Sequence, residues 1–306
     1  MTAQETDNTH QLASAAIVVG ADGSKASDAA VRWAAKTAAR RGRRLHIVHG
    51  LDITTMRLFV GSLNVIEPEA VAKMHAHGKQ ILTGAMRSAH AIAPELTVTT
   101  ELAESKPAQL LIDSSEAAHL VVLGAIPDIG AIAHLGSTLL AVTAHARGAV
   151  VVVPHIGAPP SDDQPVVVGV DGSNVGEAAI AVAFAEASER NAELVAVHAW
   201  SDLTVGEFAG QSYLDVPIAA LEESEHTLLA ERLAGWQEKY PDVRVTRTVV
   251  ADGPRRYLGD WSKSAQLIVV GSRGRGGFKG LLLGSTSNWL VQHADCPVMV
   301  VHGLRT

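Results

Sequence analysis

The chain has 306 residues, which favours two domains over one, and its hydrophobic share of 47% excludes wholesale disorder. The net charge of −7 argues against a general polyanion-binding surface, so we expect no nucleic-acid partner. The single cysteine, Cys296, excludes an internal disulfide framework and a cysteine-rich zinc site, and it favours a reducing, cytoplasmic compartment. No run of about 18 apolar residues occurs, so no membrane partner is expected.

The first half of the chain alternates predicted strands and helices. Residues 1–15 are polar and are predicted to form a disordered tail. Short, nearly all-apolar runs and one looser segment predict strands near 17–21, 45–49, 96–101, 120–123 and 149–153. Helical spacing of apolar residues predicts helices near 24–41, 67–91, 107–117 and 136–146. This alternation predicts an α/β domain with a doubly wound parallel sheet.

The second half repeats the first at a distance of about 148 residues. The sequence VVGADGS at 18–24 returns as VVGVDGS at 167–173, and HLVVLG at 119–124 matches QLIVVG at 266–271. Between the copies lies a segment rich in Pro and Gly. We therefore predict one fold, duplicated, with a first domain over 16–154, a linker over 155–165 and a second domain over 166–306.

A glycine-rich loop follows the fourth predicted strand of the second half. Gly271, two residues, Gly274, nine residues and then Gly284-Ser285 form its pattern. Glycines let backbone N–H groups approach an anion, and the helix that opens at Ser285 offers further free N–H groups and a favourable dipole. Arg273 and Arg275 add positive charge. The loop predicts a phosphate site, although a flexible loop before a capped helix remains the alternative.

These motifs together resemble the universal stress protein family. The start at 168–173, the long glycine motif and the CPVMVV strand at 296–301 carry the resemblance, which covers the chain from about residue 15 onward. The tandem arrangement is similar to two-domain actinobacterial members. The resemblance implies two Rossmann-like domains of the adenine nucleotide alpha hydrolase type, each a five-stranded parallel sheet flanked by helices. It also implies ATP binding, with Mg²⁺, and a homodimer with an unidentified regulatory protein partner.

The resemblance and the loop chemistry together assign nucleotide-binding residues but no catalytic residue and no protein metal site. Asp171 is expected beside the nucleotide, the chain near His198 and Ala199 at the adenine edge, and Asp202 at the ribose. The assigned second-half residues are Gly169, Asp171, Ala199, Asp202, Gly271, Ser272, Arg273, Gly274, Arg275, Gly276, Gly277, Gly284, Ser285, Thr286 and Ser287. The weaker first-half residues are Gly20, Asp22, Gly124, Gly136, Ser137 and Thr138.

The first half departs from the glycine pattern. Its loop is one residue shorter, carries no arginine, and has Pro127 where the second half has Gly274. Proline removes an N–H donor, and Asp128 would face phosphates with a like charge. We therefore expect an intact ATP site in the second half and a weakened or empty one in the first.

Three functional interpretations remain open from the sequence. A nucleotide-dependent stress or growth regulator fits the motifs best. A slow ATP hydrolase would need a base near the γ-phosphate, and no His, Glu or Asp is fixed there by a motif. A scaffold that binds no nucleotide is the third interpretation. Asp22 and Asp171 could instead cap the turns that follow them, and His49 and His198 could simply end buried strands.

Overall fold

The computed structural model describes residues 15–53, 68–125, 137–155, 159–200, 218–274 and 283–303. The chain divides into two compact units, Met1–His155 (unit 1) and Ile156–Thr306 (unit 2). Each unit is built on its own parallel sheet with helices between successive strands. The predicted α/β class and the duplicated architecture are therefore confirmed.

Unit 1 contains five strands among the described residues, in the spatial order β3-β2-β1-β4-β5, and every pairing is parallel. The strands are β1 (Ile17–Gly20), β2 (Leu45–Gly50), β3 (Val98–Ala103), β4 (Leu120–Ala125) and β5 (Ala149–Pro154). The helices are α1 (Lys25–Arg40), α2 (Pro68–Ile92), α3 (Pro107–Ser114) and α4 (Ser137–His145).

Unit 2 has the same order over its described residues, β8-β7-β6-β9-β10, again with parallel pairings. The strands are β6 (Val166–Gly169), β7 (Leu194–Ala199), β8 (Val245–Val250), β9 (Leu267–Gly271) and β10 (Val298–Val301). The helices are α5 (Asn174–Arg190), α6 (Ile218–Lys239), α7 (Pro254–Trp261) and α8 (Ser285–His293).

The core of each unit consists of the central strands and the inner faces of the helices. Valine, isoleucine and leucine fill the central strands, because a parallel sheet is covered on both faces there. The outer strands β3 and β8 carry exposed polar residues such as Glu101 and Arg247. Alanines on the helices allow close approach to the sheet; Ala30, Ala34 and Ala183 are fully buried. Within the described chain, none of the helices combines the length and apolar character that crossing a membrane requires.

Several element boundaries of unit 1 differ from the sequence prediction by one to three residues, and two of these differences have a visible cause. The strand predicted near 96–101 lies at Val98–Ala103, because the N–H of Leu96 still bonds to the carbonyl of Ala93 (3.1 Å) in a turn after α2. The helix predicted near 107–117 ends at Ser114, and the hydroxyl of Ser115 donates to the carbonyl of Ile112 (2.5 Å). Ser24 is the N-cap of α1, and its side chain accepts from the N–H of Ser27.

Candidate functional site

The predicted site residues of unit 2 gather where the strand order reverses. Gly169, Ala199 and Gly271 are the last residues of β6, β7 and β9. In a parallel sheet these carboxyl ends share one edge, and β6 lies between β7 and β9. The edge beyond a reversal of strand order is where open α/β sheets bind their ligands. The local geometry at this edge determines what can bind there.

Asp171 forms a tight turn directly after β6. Its Oδ1 accepts from the N–H of Ser173 (2.9 Å) and from the hydroxyl of Ser173 (2.7 Å). Gly172 has a φ of +76°, a left-handed conformation that favours glycine. Ser173 then caps α5 by accepting from the N–H of Gly176 (3.0 Å). The turn-capping role considered from the sequence is therefore real, and it fixes the direction of the carboxylate.

Two glycines enclose this carboxylate. A Cβ on Gly176 would lie 2.6 Å from Oδ1 of Asp171, and a Cβ on Gly274 would lie 2.6 Å from Oδ2. Neither position can carry a side chain unless the carboxylate or the glycine's own backbone moves. The backbone at Gly274 therefore lies against Asp171, although these two residues are distant in sequence. The glycine pattern assigned Gly274 to the predicted phosphate site, but it did not predict the contact with Asp171.

The loop also joins the start of α8. The N–H of Gly284 donates to the carbonyl of Ser272 (2.7 Å), and the hydroxyl of Ser287 donates to the carbonyl of Gly271 (2.6 Å). Gly284 is the N-cap of α8 and brings no side-chain cap, so the first-turn N–H groups are not occupied by one. The exposed Arg273 lies beside this helix start. Backbone donors, a helix N-terminus and a guanidinium group together suit an anion.

The remaining predicted residues of unit 2 are less informative. Ser285 and Thr286 lie in the first turn of α8, and Ala199 pairs with Val250 in the sheet. Gly169 packs against α7, since its Cβ would lie 3.1 Å from Cδ1 of Leu258. The residues outside the described part of the chain are Asp202, Arg275, Gly276 and Gly277.

Unit 1 builds a related turn with different surroundings. Oδ1 of Asp22 accepts from the N–H of Ser24 (2.9 Å). Partial desolvation alone would raise the pKa of Asp22, but hydrogen bonds from the side chain and backbone of Ser24 and from the side chain of Ser27 outweigh it, so the pKa is lowered. Ser27 occupies the place that Gly176 occupies in unit 2, so the carboxylate is not enclosed by the same pair of glycines.

The other first-half candidates are distributed as follows. Gly20 ends β1, and Gly124 lies in β4 with its Cα against α1, because a Cβ there would lie 2.2 Å from the carbonyl oxygen of Ala26. Gly124 is therefore explained by packing. Ser137 and Thr138 begin α4. The described residues do not include Gly136 or the loop with Pro127 and Asp128.

A buried histidine supports the Asp171 turn, which the sequence did not indicate. Nδ1 of His198 lies 2.6 Å from the carbonyl oxygen of Val170, and Nε2 lies 2.7 Å from Oε2 of Glu225 on α6. In unit 1, Nδ1 of His49 lies 2.6 Å from the carbonyl oxygen of Ala21. Each histidine thus bonds to the residue just before the aspartate. Only the recurrence of His at both strand ends hinted at this shared contact.

Comparison with known proteins identifies the family. The family model described as "Universal stress protein family" matches residues 15–154 and again 164–302. The chain belongs to the universal stress protein family. It is 44% identical to universal stress protein Rv2005c and 41% identical to universal stress protein Rv2623, both of Mycobacterium tuberculosis; each match covers 93% of this chain, with 96% and 95% of the relative.

The family's fold is matched by solved structures as well. The crystal structure of a universal stress protein from Archaeoglobus fulgidus DSM 4304 aligns with a TM-score of 0.66 at 17% identity, over 94% of this chain and 98% of that one. At this identity the likeness concerns the fold. The tandem universal stress protein type predicted from the repeat is thereby confirmed.

The two universal stress protein domains offer no metal cluster and no reactive thiol where they are described. Across the described ranges, no group of three or more His, Cys, Asp or Glu side chains is arranged to hold a metal ion. Cys296 is buried before β10, and burial raises the pKa of its thiol to about 12. A neutral, buried thiol is a packing group.

Proposed function

We propose that this universal stress protein binds ATP, as its Mg²⁺ complex, at the carboxyl edge of the unit 2 sheet, and that ATP occupancy regulates a stress or growth response. The observation that carries the proposal is the enclosure of Asp171 by Gly176 and Gly274 beside the uncapped start of α8. A loop that excludes side chains and exposes backbone N–H groups next to a helix N-terminus is suited to polyphosphate.

The residues present fit a nucleoside triphosphate. Backbone N–H groups of Arg273 and Gly274 and of the first turn of α8 would hold phosphate oxygens, and the guanidinium of Arg273 would balance their charge. The end of β7 at Ala199 would meet the base. Asp171 is fixed by Ser173, which supports a role in orienting the ligand rather than in moving with it. Mg²⁺ would supply charge neutralisation on the phosphates.

Unit 1 is proposed to bind nucleotide weakly or not at all. Ser27 stands in place of Gly176, and Pro127 stands in place of Gly274, so both glycines that flank Asp171 are replaced around Asp22. The first loop also lacks the arginines of the second. The two domains thus share a framework but differ at the positions on which the proposed phosphate contacts depend.

The proposal is tested by identifying the nucleotide that the purified full-length protein carries. Mass spectrometry of the supernatant after denaturation is expected to find ATP at no more than about one molecule per chain. Recovered ADP would favour the slow hydrolase. If no nucleotide is recovered and added ATP also fails to bind in a calorimetric titration, the protein is a scaffold and the proposal is wrong.

The proposal extends to the assembly and location of the protein. We propose a cytoplasmic homodimer that engages a regulatory protein partner according to its nucleotide state. The one cysteine is a buried free thiol, which suits a reducing compartment. Light scattering coupled to gel filtration, with and without ATP, measures the mass of the assembly; a monomer under both conditions would contradict the dimer.

A further inference from the structure

His198 faces a hydrogen-bond acceptor at each of its ring nitrogens. The carbonyl of Val170 can only accept, so Nδ1 must donate to it. A carboxylate also only accepts, so the contact between Nε2 and Oε2 of Glu225 needs a second proton, carried by the ring or by the carboxyl group. The side chain of His198 is 1% exposed. This bond is therefore charge-assisted or involves a carboxylic acid donor; the imidazole is shielded from water, whereas the side chain of Glu225 is 23% exposed.

His198 holds the backbone of Val170, the residue that directly precedes the Asp171 turn. The N–H of Val170 donates to the carbonyl of Val197 (2.8 Å), while its carbonyl accepts from His198. Both backbone polar groups of Val170 are thus tied to β7. Asp171 follows immediately, and its carboxylate sets the turn that leads into α5. A continuous series of contacts therefore runs from Glu225 on α6 through His198 to Asp171.

Unit 1 keeps the histidine, but in the part of the chain that the structure describes the equivalent helix position carries no carboxylate. Gly78 lies 14 residues before the last residue of α2, and Glu225 lies 14 residues before the last residue of α6. Both positions face the histidine: a Cβ on Gly78 would lie 3.1 Å from Cδ2 of His49. That Cβ would also lie 2.7 Å from Cδ1 of Leu102, so a larger residue there would require Leu102 to move. Among the described residues, the histidine–glutamate pair therefore occurs in unit 2 and not in unit 1.

We propose that His198 and Glu225 are positioning residues for the unit 2 nucleotide site. They touch no ligand; they hold the backbone at Val170 so that Asp171 is presented in the conformation that the nucleotide needs. This inference rests on the proposed ATP binding for its functional consequence. Its structural part, that Glu225 orders the segment from Val170 to Gly176 through His198, holds whether or not ATP binds.

The test compares two substitutions of Glu225 in the full-length protein. In Glu225→Gln, the amide N–H of the new side chain can donate to Nε2 while Nδ1 keeps its proton, so His198 stays in place. In Glu225→Ala, Nε2 of the buried ring has lost its partner. The ring is then no longer held in the orientation in which Nδ1 donates to the carbonyl of Val170. We expect the Kd for ATP to change less than threefold in Glu225→Gln and to rise at least tenfold in Glu225→Ala. Glu223→Ala, which removes an exposed glutamate of the same helix, is the matched control and should bind as the wild type does.

Hydrogen exchange without ATP separates this inference from the proposed function. The N–H groups of Ser173 and Gly176 are bonded within the turn, so they report on its order. We expect peptides that cover 168–178 to exchange at least fivefold faster in Glu225→Ala than in Glu225→Gln, while peptides that cover 20–28 stay unchanged. Equal exchange in the two variants would overturn the inference even if the wild type binds ATP. Faster exchange in Glu225→Ala, with no ATP bound by the wild type, would support the ordering role and refute the proposed function. If Glu225→Ala does not fold, hydrogen exchange in the peptides that cover 168–178 is compared between Glu225→Gln and the wild type. Equal exchange supports the inference, and faster exchange in Glu225→Gln overturns it.

Discussion

Replacing Gly274 with alanine places a methyl group against the Asp171 carboxylate. The Cβ would lie 2.6 Å from Oδ2, whereas an ordinary van der Waals contact needs 3.4–4 Å. The loop backbone or the carboxylate must therefore move by roughly 0.8 Å or more to restore an ordinary contact distance. Oδ1 is held by Ser173, so the loop backbone is the part with more freedom to shift.

A displaced loop should weaken ATP binding strongly and leave the fold intact. Hydrogen bonds to a charged group contribute about 1.5–3 kcal/mol each. Loss of one such bond to a phosphate corresponds to a roughly tenfold to hundredfold rise in Kd. Isothermal titration calorimetry of the full-length variant with Mg²⁺-ATP measures this change, and far-ultraviolet circular dichroism checks that the secondary structure is unaltered.

Gly235→Ala is the matched control for this substitution. Gly235 lies in α6, and a Cβ there would meet no atom within 4 Å. Alanine in a helix interior is favoured over glycine by about 0.5–1 kcal/mol, so this variant should be slightly more stable and should bind ATP normally. The reasoning is refuted if Gly274→Ala binds ATP with the wild-type Kd, or if Gly235→Ala loses binding to the same degree.

Two further predictions concern the stability of unit 2. Glu186 and Arg190 form an ion pair whose side chains are 2% and 4% exposed, and Glu186→Ala removes the carboxylate of this pair. Urea denaturation should show a loss of about 3–5 kcal/mol in the free energy of unfolding. A loss below about 1 kcal/mol would contradict this prediction. In the folded state the Cys296 thiol has a pKa raised to about 12 by burial, whereas in the unfolded state it ionises near its ordinary pKa of 9.0. The free energy of unfolding should therefore fall as the pH rises between these two values, by up to about 1.4 kcal/mol per pH unit. Cys296→Ala should abolish that part of the pH dependence, and a thiol reagent at pH 8 should label the wild type only after unfolding.

The sequence predicted the fold because local patterns and the repeat agreed. Buried strands such as β1 form short apolar runs in the sequence, and apolar residues at helical spacing predicted the helices that follow. Strand ends were less predictable. The shift of β3 arises from a turn after α2, a contact that apolar periodicity does not register.

The candidate site could be predicted only where its residues form one continuous motif. The glycine loop and the start of α8 are continuous, so their spacing indicated them. Glu225 lies in a helix among exposed glutamates, and nothing in its surroundings distinguishes it from Glu222 or Glu223. Its partner His198 is 27 residues away, and only the packing of α6 against the sheet brings the two together. Long-range polar contacts of this kind have no local signature.

The number of ATP molecules bound by the full-length chain tests the central claim most directly. Calorimetric titration should give about one site per chain for the wild type and for Asp22→Ala, because the proposed site lies in unit 2. Asp171→Ala should bind at least tenfold more weakly. Two equivalent sites per chain, or binding that Asp22→Ala removes and Asp171→Ala preserves, would contradict the assignment of the nucleotide site to the second domain.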